Sequence, residues 1–218
     1  MSIYSFSRDI VRFFTDFIFP QKPSVIRLEN MPLHEFAKLE TASNTPYLWI
    51  HSLFSYKDTT VQELVWHIKY KKNSILIEKS AILIAEKIQA DFEDRILFEK
   101  AKLYLVPIPL SKKRLRERGF NQSERIADII KAHISNIYLD TNILIRHKHT
   151  LPQTKTLSRK ERLHNIVGSF SLQNPKKIKG TYVILIDDVT TTGATLAEAR
   201  KVLQQGRPKE IIAYTIAH

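Results

Sequence analysis

The 218-residue sequence contains no cysteine. That absence excludes disulfide staples, a cysteine zinc ribbon, iron–sulfur clusters and a thiol nucleophile. Glycine is scarce, with five residues in all, which rules out Gly-rich low complexity and collagen-like repeats. Acidic residues are outnumbered: 22 Asp and Glu stand against 34 Lys and Arg, for a formal net charge of +12. No apolar run approaches the roughly 20 residues of a spanning helix. The N-terminal stretch MSIYSFSRDIVRFFTDFIFP is interrupted by Arg8, Asp9, Arg12 and Asp16, so it lacks a secretory h-region. The expected compartment is the cytoplasm. What remains is ordinary globular composition, 43% hydrophobic and 26% charged, enough for a sizeable core. The positive balance favours polyanionic partners: nucleic acid, phosphorylated small molecules or anionic lipid. A generally basic, lysine-rich background explains the same charge, and the lysines are scattered.

The pattern along the chain is α/β. Residues 4–18 place Phe6, Ile10, Phe13, Phe14, Phe17 and Ile18 at helical spacing, and Pro20 ends the run. Residues 20–45 hold three prolines without a clear period and are expected to be an irregular linker. Residues 47–56 look strand-like. Residues 59–73 and 74–91 look like two helices. Strands are then expected at 102–110, 142–148, 181–189 and 210–218, with helices at 121–134 and 194–205. Unbroken apolar strands alternating with helices argue for a parallel sheet covered on both faces. Such sheets bind ligands beyond the carboxyl ends of their strands.

The richest constellation is VILIDDVTTTGATLAEA, residues 183–199. A strand delivers Asp187 and Asp188 to its C-terminal end. Val189, Thr190, Thr191, Thr192 and Gly193 follow as a loop, and Ala194 and Thr195 open a helix. Backbone N–H groups at a helix start, joined by threonine hydroxyls, make a phosphate cradle. Two adjacent carboxylates suit the vicinal hydroxyls of a sugar. The pair describes a ribose-5-phosphate site. Paired aspartates also occur in Mg²⁺ sites of receiver domains and phosphatases, which do not need the Thr-Thr-Thr-Gly-Ala-Thr run. No Walker A loop is present, because no G-K-[ST] follows. A capped helix with no ligand is the structural alternative.

Two further segments are basic. Lys112, Lys113, Arg114, Arg116 and Arg118 follow the strand ending near Leu110 and read as either an anion-binding loop or a solvated one. Residues 149–168 carry Lys155, Arg159, Lys160, Arg162 and His164, suited to a mobile loop that closes over a phosphate ester. Ion pairs through Glu161 would give the same stretch a structural role. His147 and His149 form an HxH pair without a third ligand nearby, so a zinc site is not expected.

Residues 187–195 resemble the phosphoribosyl pyrophosphate (PRPP) motif of type I phosphoribosyltransferases. VPIPLSKKRLRERGFNQSERIA (106–127) and QTKTLSRKERLHNIVGSF (153–170) resemble the ComF family, a phosphoribosyltransferase-like group related to competence proteins. SYKDTTVQELVWHIKYKKN (55–73) is similar to the segment preceding that family's core. The resemblance covers about residues 47–218. It implies a type I phosphoribosyltransferase fold, with a central parallel sheet flanked by helices. A hood is expected over about 46–100, a core over about 101–218, and a helical extension over 1–45. Residues 17–20 match the family's lead-in, but Gln21 and Lys22 stand where a cysteine-rich zinc ribbon would begin.

By the same resemblance, Asp187 and Asp188 would hold the ribose hydroxyls, and residues 189–195 would hold the 5-phosphate. Arg118, Gly119, Phe120, Asn121 and Gln122 would form the pyrophosphate loop, with Arg118 acting in catalysis beside the two aspartates. Gln153, Arg159, Arg162 and Asn165 would belong to the mobile loop. Mg²⁺ is expected as the cofactor, held through PRPP rather than by the chain. The implied reaction is phosphoribosyl transfer with pyrophosphate release, in DNA uptake. The alternative is a non-catalytic competence factor that binds single-stranded DNA and keeps a vestigial or regulatory PRPP site. Single-stranded DNA and other competence proteins are the implied macromolecular partners. In the DNA reading, the aromatic-containing strand 47–56 stacks bases, unless its rings are core.

Overall fold

A computed structural model describes residues 22–42, 47–147 and 166–218. The expected helix at 4–18 and most of the segment 149–168 lie outside these residues. Within them the sheet has five parallel strands in the order β1-β7-β6-β2-β3. These are β1 (Ile50–Phe54), β2 (Leu103–Pro107), β3 (Ile137–Leu139), β6 (Tyr182–Val189) and β7 (Glu210–Ala217). A separate antiparallel pair joins β4 (Leu144–Arg146) to β5 (Phe170–Leu172).

The apolar strands are covered on both faces, and their side chains alternate between two cores as a pleat requires. From β6, Tyr182, Ile184 and Ile186 enter one core, whereas Val183 and Leu185 enter the other. From β7, Ile212, Tyr214 and Ile216 face the first core, and Ile211 and Ala213 the second. The first is closed by α3 (Thr59–Trp66), α4 (Ser74–Leu97) and α6 (Gln122–His133) through residues such as Leu64, Ile84, Ile88 and Ile126. The second is closed by α7 (Ala194–Leu203) through Leu196, Ala199 and Leu203.

Two expectations need correction. Residues 20–45 are not an irregular linker throughout: α1 (Pro23–Asn30) and α2 (Leu33–Phe36) are helices. Pro23 sits in the first turn of α1 and Pro32 immediately precedes α2. Proline is tolerated there because the first N–H groups of a helix lack intrahelical partners. Val25, Leu28 and Phe36 are at most 1% exposed and join the first core. Burying each stabilises the fold by roughly 1.5–3 kcal/mol. The residues expected to form a hood supply an edge strand of the main sheet, with β1 parallel to β7, and helices that close its core. The strand expected at 142–148 is β4, which lies off the main sheet. The position beside β2 belongs to β3, too short to show a period.

Two local breaks place the site. After α3 the chain winds into a π-turn, His67–Lys71, and leaves it through Lys72 in the left-handed region (φ 53°). After β2, the short α5 (Lys112–Arg118) begins at Ser111, whose side chain accepts from the Arg114 N–H at 3.3 Å. It ends at Gly119 with φ +73°. The basic run expected as a loop is therefore helical, with no residue buried. Among the described residues, no helix is long and apolar enough to cross a membrane.

Candidate functional site

All five strands point the same way, so their carboxyl ends line one edge of the sheet. The sequence-selected residues gather there. Asp187 and Asp188 are the sixth and seventh residues of β6, one position before its end. As neighbours on a strand they face opposite sides. Asp187 Oδ1 accepts from Ser123 Oγ at 3.2 Å and from the Asp188 N–H at 2.9 Å. Burial, and then the adjacent Asp188 charge, push its carboxyl up to about 7. The backbone hydrogen bond, Lys69 and Ser123 act in the other direction.

Asp188 is in a different environment. Its side chain is 10% exposed and lies between two cations. Lys69 Nζ stands 3.3 Å from Oδ1, and Arg118 Nη1 stands 3.7 Å from Oδ2. Oδ1 also accepts from the Val189 N–H at 2.6 Å. Among the described residues, no three His, Cys, Asp or Glu side chains gather as a metal nest.

The loop after β6 has the form of a phosphate cradle. Val189 is the last residue of β6 and packs against the first core. Thr190 is buried, and its N–H donates to the Ala217 carbonyl at 3.0 Å. Thr191 is exposed, and Thr192 Oγ1 accepts from the Ala194 N–H at 3.4 Å. Gly193 caps α7 with φ +72°, and Ala194 and Thr195 form the half-buried first turn. A Cβ on Gly193 would stand 2.6 Å from the Tyr47 ring, so the position requires glycine on two counts.

Beside the carboxyl end of β6 lies the turn between α5 and α6. Arg118 lies over the Tyr70 ring at 5.4 Å, and Lys72 lies over Phe120 at 5.5 Å. Asn121 caps α6: its Oδ1 accepts from the Ser123 N–H at 3.1 Å. Its amide Nδ2 donates to the Ile108 carbonyl at 3.1 Å and to Glu124 Oε1 at 2.9 Å. Gln122 is fully buried, and neither polar atom of its side chain has a partner. A buried, unpaired amide is costly, and such groups are few in native folds.

The structure thus brings together Asp187, Asp188, residues 189–195, Arg118 and residues 119–122. Gln153, Arg159, Arg162 and Asn165 lie outside the described residues. In the aromatic segment 47–56, Phe54 is core, Trp49 lies beneath Arg200 at 4.6 Å, and Tyr47 is exposed. His147 pairs with Ser171 Oγ at 2.6 Å.

Sequence reasoning missed Lys69, Ser123 and Arg146. Lys69 follows Ile68 in a helix-like pattern, and no single-sequence signal marks a π-turn. Ser123 lies two residues after the cap Asn121, where a serine ordinarily serves the helix start. Arg146 donates to the Pro109 carbonyl at 3.5 Å and covers Phe170 at 5.2 Å. Burial and Arg114 lower its pKa, and Asp187 opposes them. Only the register of β4 could have aimed it at this edge.

Residues 120–218 match the phosphoribosyl transferase domain family. Competence protein F of Haemophilus influenzae is 38% identical over 118 residues, 52% of this chain and 49% of that protein. Competence protein ComFC of Bacillus subtilis is 27% identical over 170 residues, 76% of this chain and 62% of that protein. DNA utilization protein YhgH of Escherichia coli K12 is 29% identical over 147 residues, 64% of this chain and 59% of that protein. The chain therefore spans about half to three fifths of the length of these relatives. Among solved structures, a hypoxanthine-guanine phosphoribosyltransferase of Bacillus anthracis overlaps 64% of this chain and 66% of its own. Its identity is 15% and its TM-score 0.42, a slight correspondence. The domain match and the parallel sheet give this chain a type I phosphoribosyltransferase fold, and the curated proteins it is similar to are competence and DNA-utilization proteins.

Proposed function

We propose that the chain binds PRPP at the carboxyl edge of β2 and β6 and transfers its phosphoribosyl group to an acceptor, releasing pyrophosphate. The observation that carries this reading is the meeting of the Asp187–Asp188 pair, the Gly193-capped loop and the Arg118–Gly119 turn at one edge. In this reading the aspartates accept the ribose hydroxyl protons. Thr191, Thr192 and the first N–H groups of α7 hold the 5-phosphate. Arg118 lies where the leaving pyrophosphate needs a cation, so its charge stabilises the departing group. The donor set fits Mg²⁺ as an ion carried chiefly by the ligand's phosphates, the usual arrangement for this cation. Bound in that way, Mg²⁺ would neutralise charge on the leaving pyrophosphate. The competence and DNA-utilization relatives favour a role in DNA uptake.

The test is calorimetric titration with PRPP, with and without Mg²⁺, of the wild type and of the Asp187→Asn/Asp188→Asn double variant. Micromolar, Mg²⁺-dependent binding that disappears in the double variant is expected. A folded wild type that ignores PRPP would overturn the reading.

A second reading has its own observation. Trp66 and Tyr70 are 46% and 57% exposed, lie 5.8 Å apart, and have Lys71 and Arg118 over their rings. Exposed aromatics interleaved with cations suit stacking of single-stranded DNA bases. That binding would weaken steeply with salt and fall in Trp66→Ala. Fluorescence anisotropy with a labelled oligonucleotide measures both. No binding at low salt would remove this reading.

A further inference from the structure

The cations around Asp188 outnumber the charge they serve. One carboxylate, 10% exposed, faces Lys69 at 3.3 Å and Arg118 at 3.7 Å. Their side chains are only 18% and 11% exposed, so water compensates little of the excess positive charge. Holding two poorly solvated cations on one carboxylate is unfavourable unless something more anionic takes them. The second carboxylate, Asp187, hydrogen-bonds Ser123, and Lys69 acts on it only through space.

The backbone that delivers Lys69 is itself unusual. π-turns are rare and are often found at functional sites. This one ends in a lysine with positive φ, a conformation that non-glycine residues seldom adopt. The same segment sends Lys72 against Phe120, and a Cβ on Gly119 would lie 3.0 Å from its Nζ. Tyr70 lies under Arg118. One short turn therefore touches Asp188, Arg118 and the Gly119–Phe120 pair. It lies before residue 120, outside the part of the chain that matches the phosphoribosyl transferase domain.

We propose that Lys69 is a ligand-binding residue of the diphosphate subsite, shared with Arg118, and that Asp188 is its resting partner in the empty site. The inference rests on the PRPP reading above. Arrival of a diphosphate draws Lys69 and Arg118 off Asp188. The freed carboxylate then accepts a ribose hydroxyl. The two halves of the ligand are coupled through one shared ion cluster, so the diphosphate end strengthens binding of the sugar end. No bond is made or broken in this step, and the charges redistribute within the cluster.

The experiment titrates three probes, PRPP, inorganic pyrophosphate and ribose 5-phosphate, into the wild type, Lys69→Met and Lys69→Arg. Losing a charge-assisted contact to a phosphate corresponds to roughly a tenfold or greater loss of affinity. Lys69→Met is expected to weaken PRPP and pyrophosphate by that factor. Ribose 5-phosphate, which lacks the diphosphate, is expected to bind as tightly or more tightly, because Asp188 has lost a competing cation. Lys69→Arg is expected to restore most of the PRPP affinity. Thermal melting establishes that each variant is folded. An equal loss for all three probes would identify Lys69 as a structural residue and overturn the proposal. So would unchanged PRPP affinity in Lys69→Met. If the wild type binds none of the probes, the PRPP reading fails and this inference fails with it. If the wild type binds and Lys69→Met behaves identically, only this inference fails.

Discussion

The two walls of the candidate site are built in opposite ways. The wall from β6 to α7 is contiguous in sequence, and its glycine is wedged against an aromatic ring: Gly193 meets Tyr47. The facing wall is assembled from Lys69, Lys72, Arg118 and Gly119, drawn from a π-turn and a short helix far apart in the chain. Its glycine meets only the tip of a flexible lysine. Both glycines have nearly the same φ, +72° and +73°. The backbone requirement is shared, and the difference lies in what surrounds it. A contiguous turn packed on a ring holds a fixed shape, whereas a wall of cation tips can rearrange around a ligand.

The sharpest way to break that comparison is Gly193→Ala. The substitution is strained at positive φ and also drives a methyl into the Tyr47 ring at 2.6 Å. An aromatic ring cannot yield as a lysine tip can. The two effects together should cost roughly 3 kcal/mol in urea unfolding and distort the phosphate loop enough to abolish PRPP binding. Native stability in this variant would mean that the wall is not rigid.

A smaller effect separates the two aspartates. With its carboxyl pushed up to about 7 from 3.8, Asp187 keeps in the folded state a proton that the unfolded chain has already lost. Between about pH 4 and 7 the native state therefore binds more protons, and stability falls as pH rises through that window. Other carboxylates act with the opposite sign: burial pushes the Asp140 carboxyl up, but Lys177 and the Asn142 and Ile143 N–H groups outweigh it and hold it lowered. In urea unfolding at a series of pH values, Asp187→Asn should remove this downward contribution across the window. A variant whose stability profile runs parallel to the wild type would show that Asp187 is ionised throughout.

The same contrast explains what could be read in advance. The β6–α7 wall was legible because every residue that makes it is adjacent, and strand, loop and helix start each have a local signature. The parallel sheet followed from the apolar strands for the same reason. The other wall was half legible: Arg118 to Gln122 stood out as a run, but their partner Lys69 did not. Nothing local tells a lysine that continues a helix from one re-aimed by a π-turn. The helices at 23–36 were hidden by their prolines, which start helices as readily as they break them. The edge role of β1 depends on pairing with β7, the last strand, a contact that no window of sequence contains.

The mildest test uses the assembled wall's own glycine. Gly119→Ala carries the strain of positive φ, but the nearest atom to the new methyl is Lys72 Nζ at 3.0 Å, with the next at 3.7 Å. That ammonium can swing aside at little steric cost, so only the backbone strain of about 1 kcal/mol remains. Moving Lys72 off Phe120 also sacrifices a cation–π contact, which at a partly exposed site is worth about 0.5 kcal/mol. Urea unfolding should therefore place Gly119→Ala well above Gly193→Ala in stability, although the two glycines share one backbone conformation. A larger loss in Gly119→Ala would invert the ranking. The turn between α5 and α6 would then be the rigid wall, with little freedom to move its cations from Asp188 to a ligand.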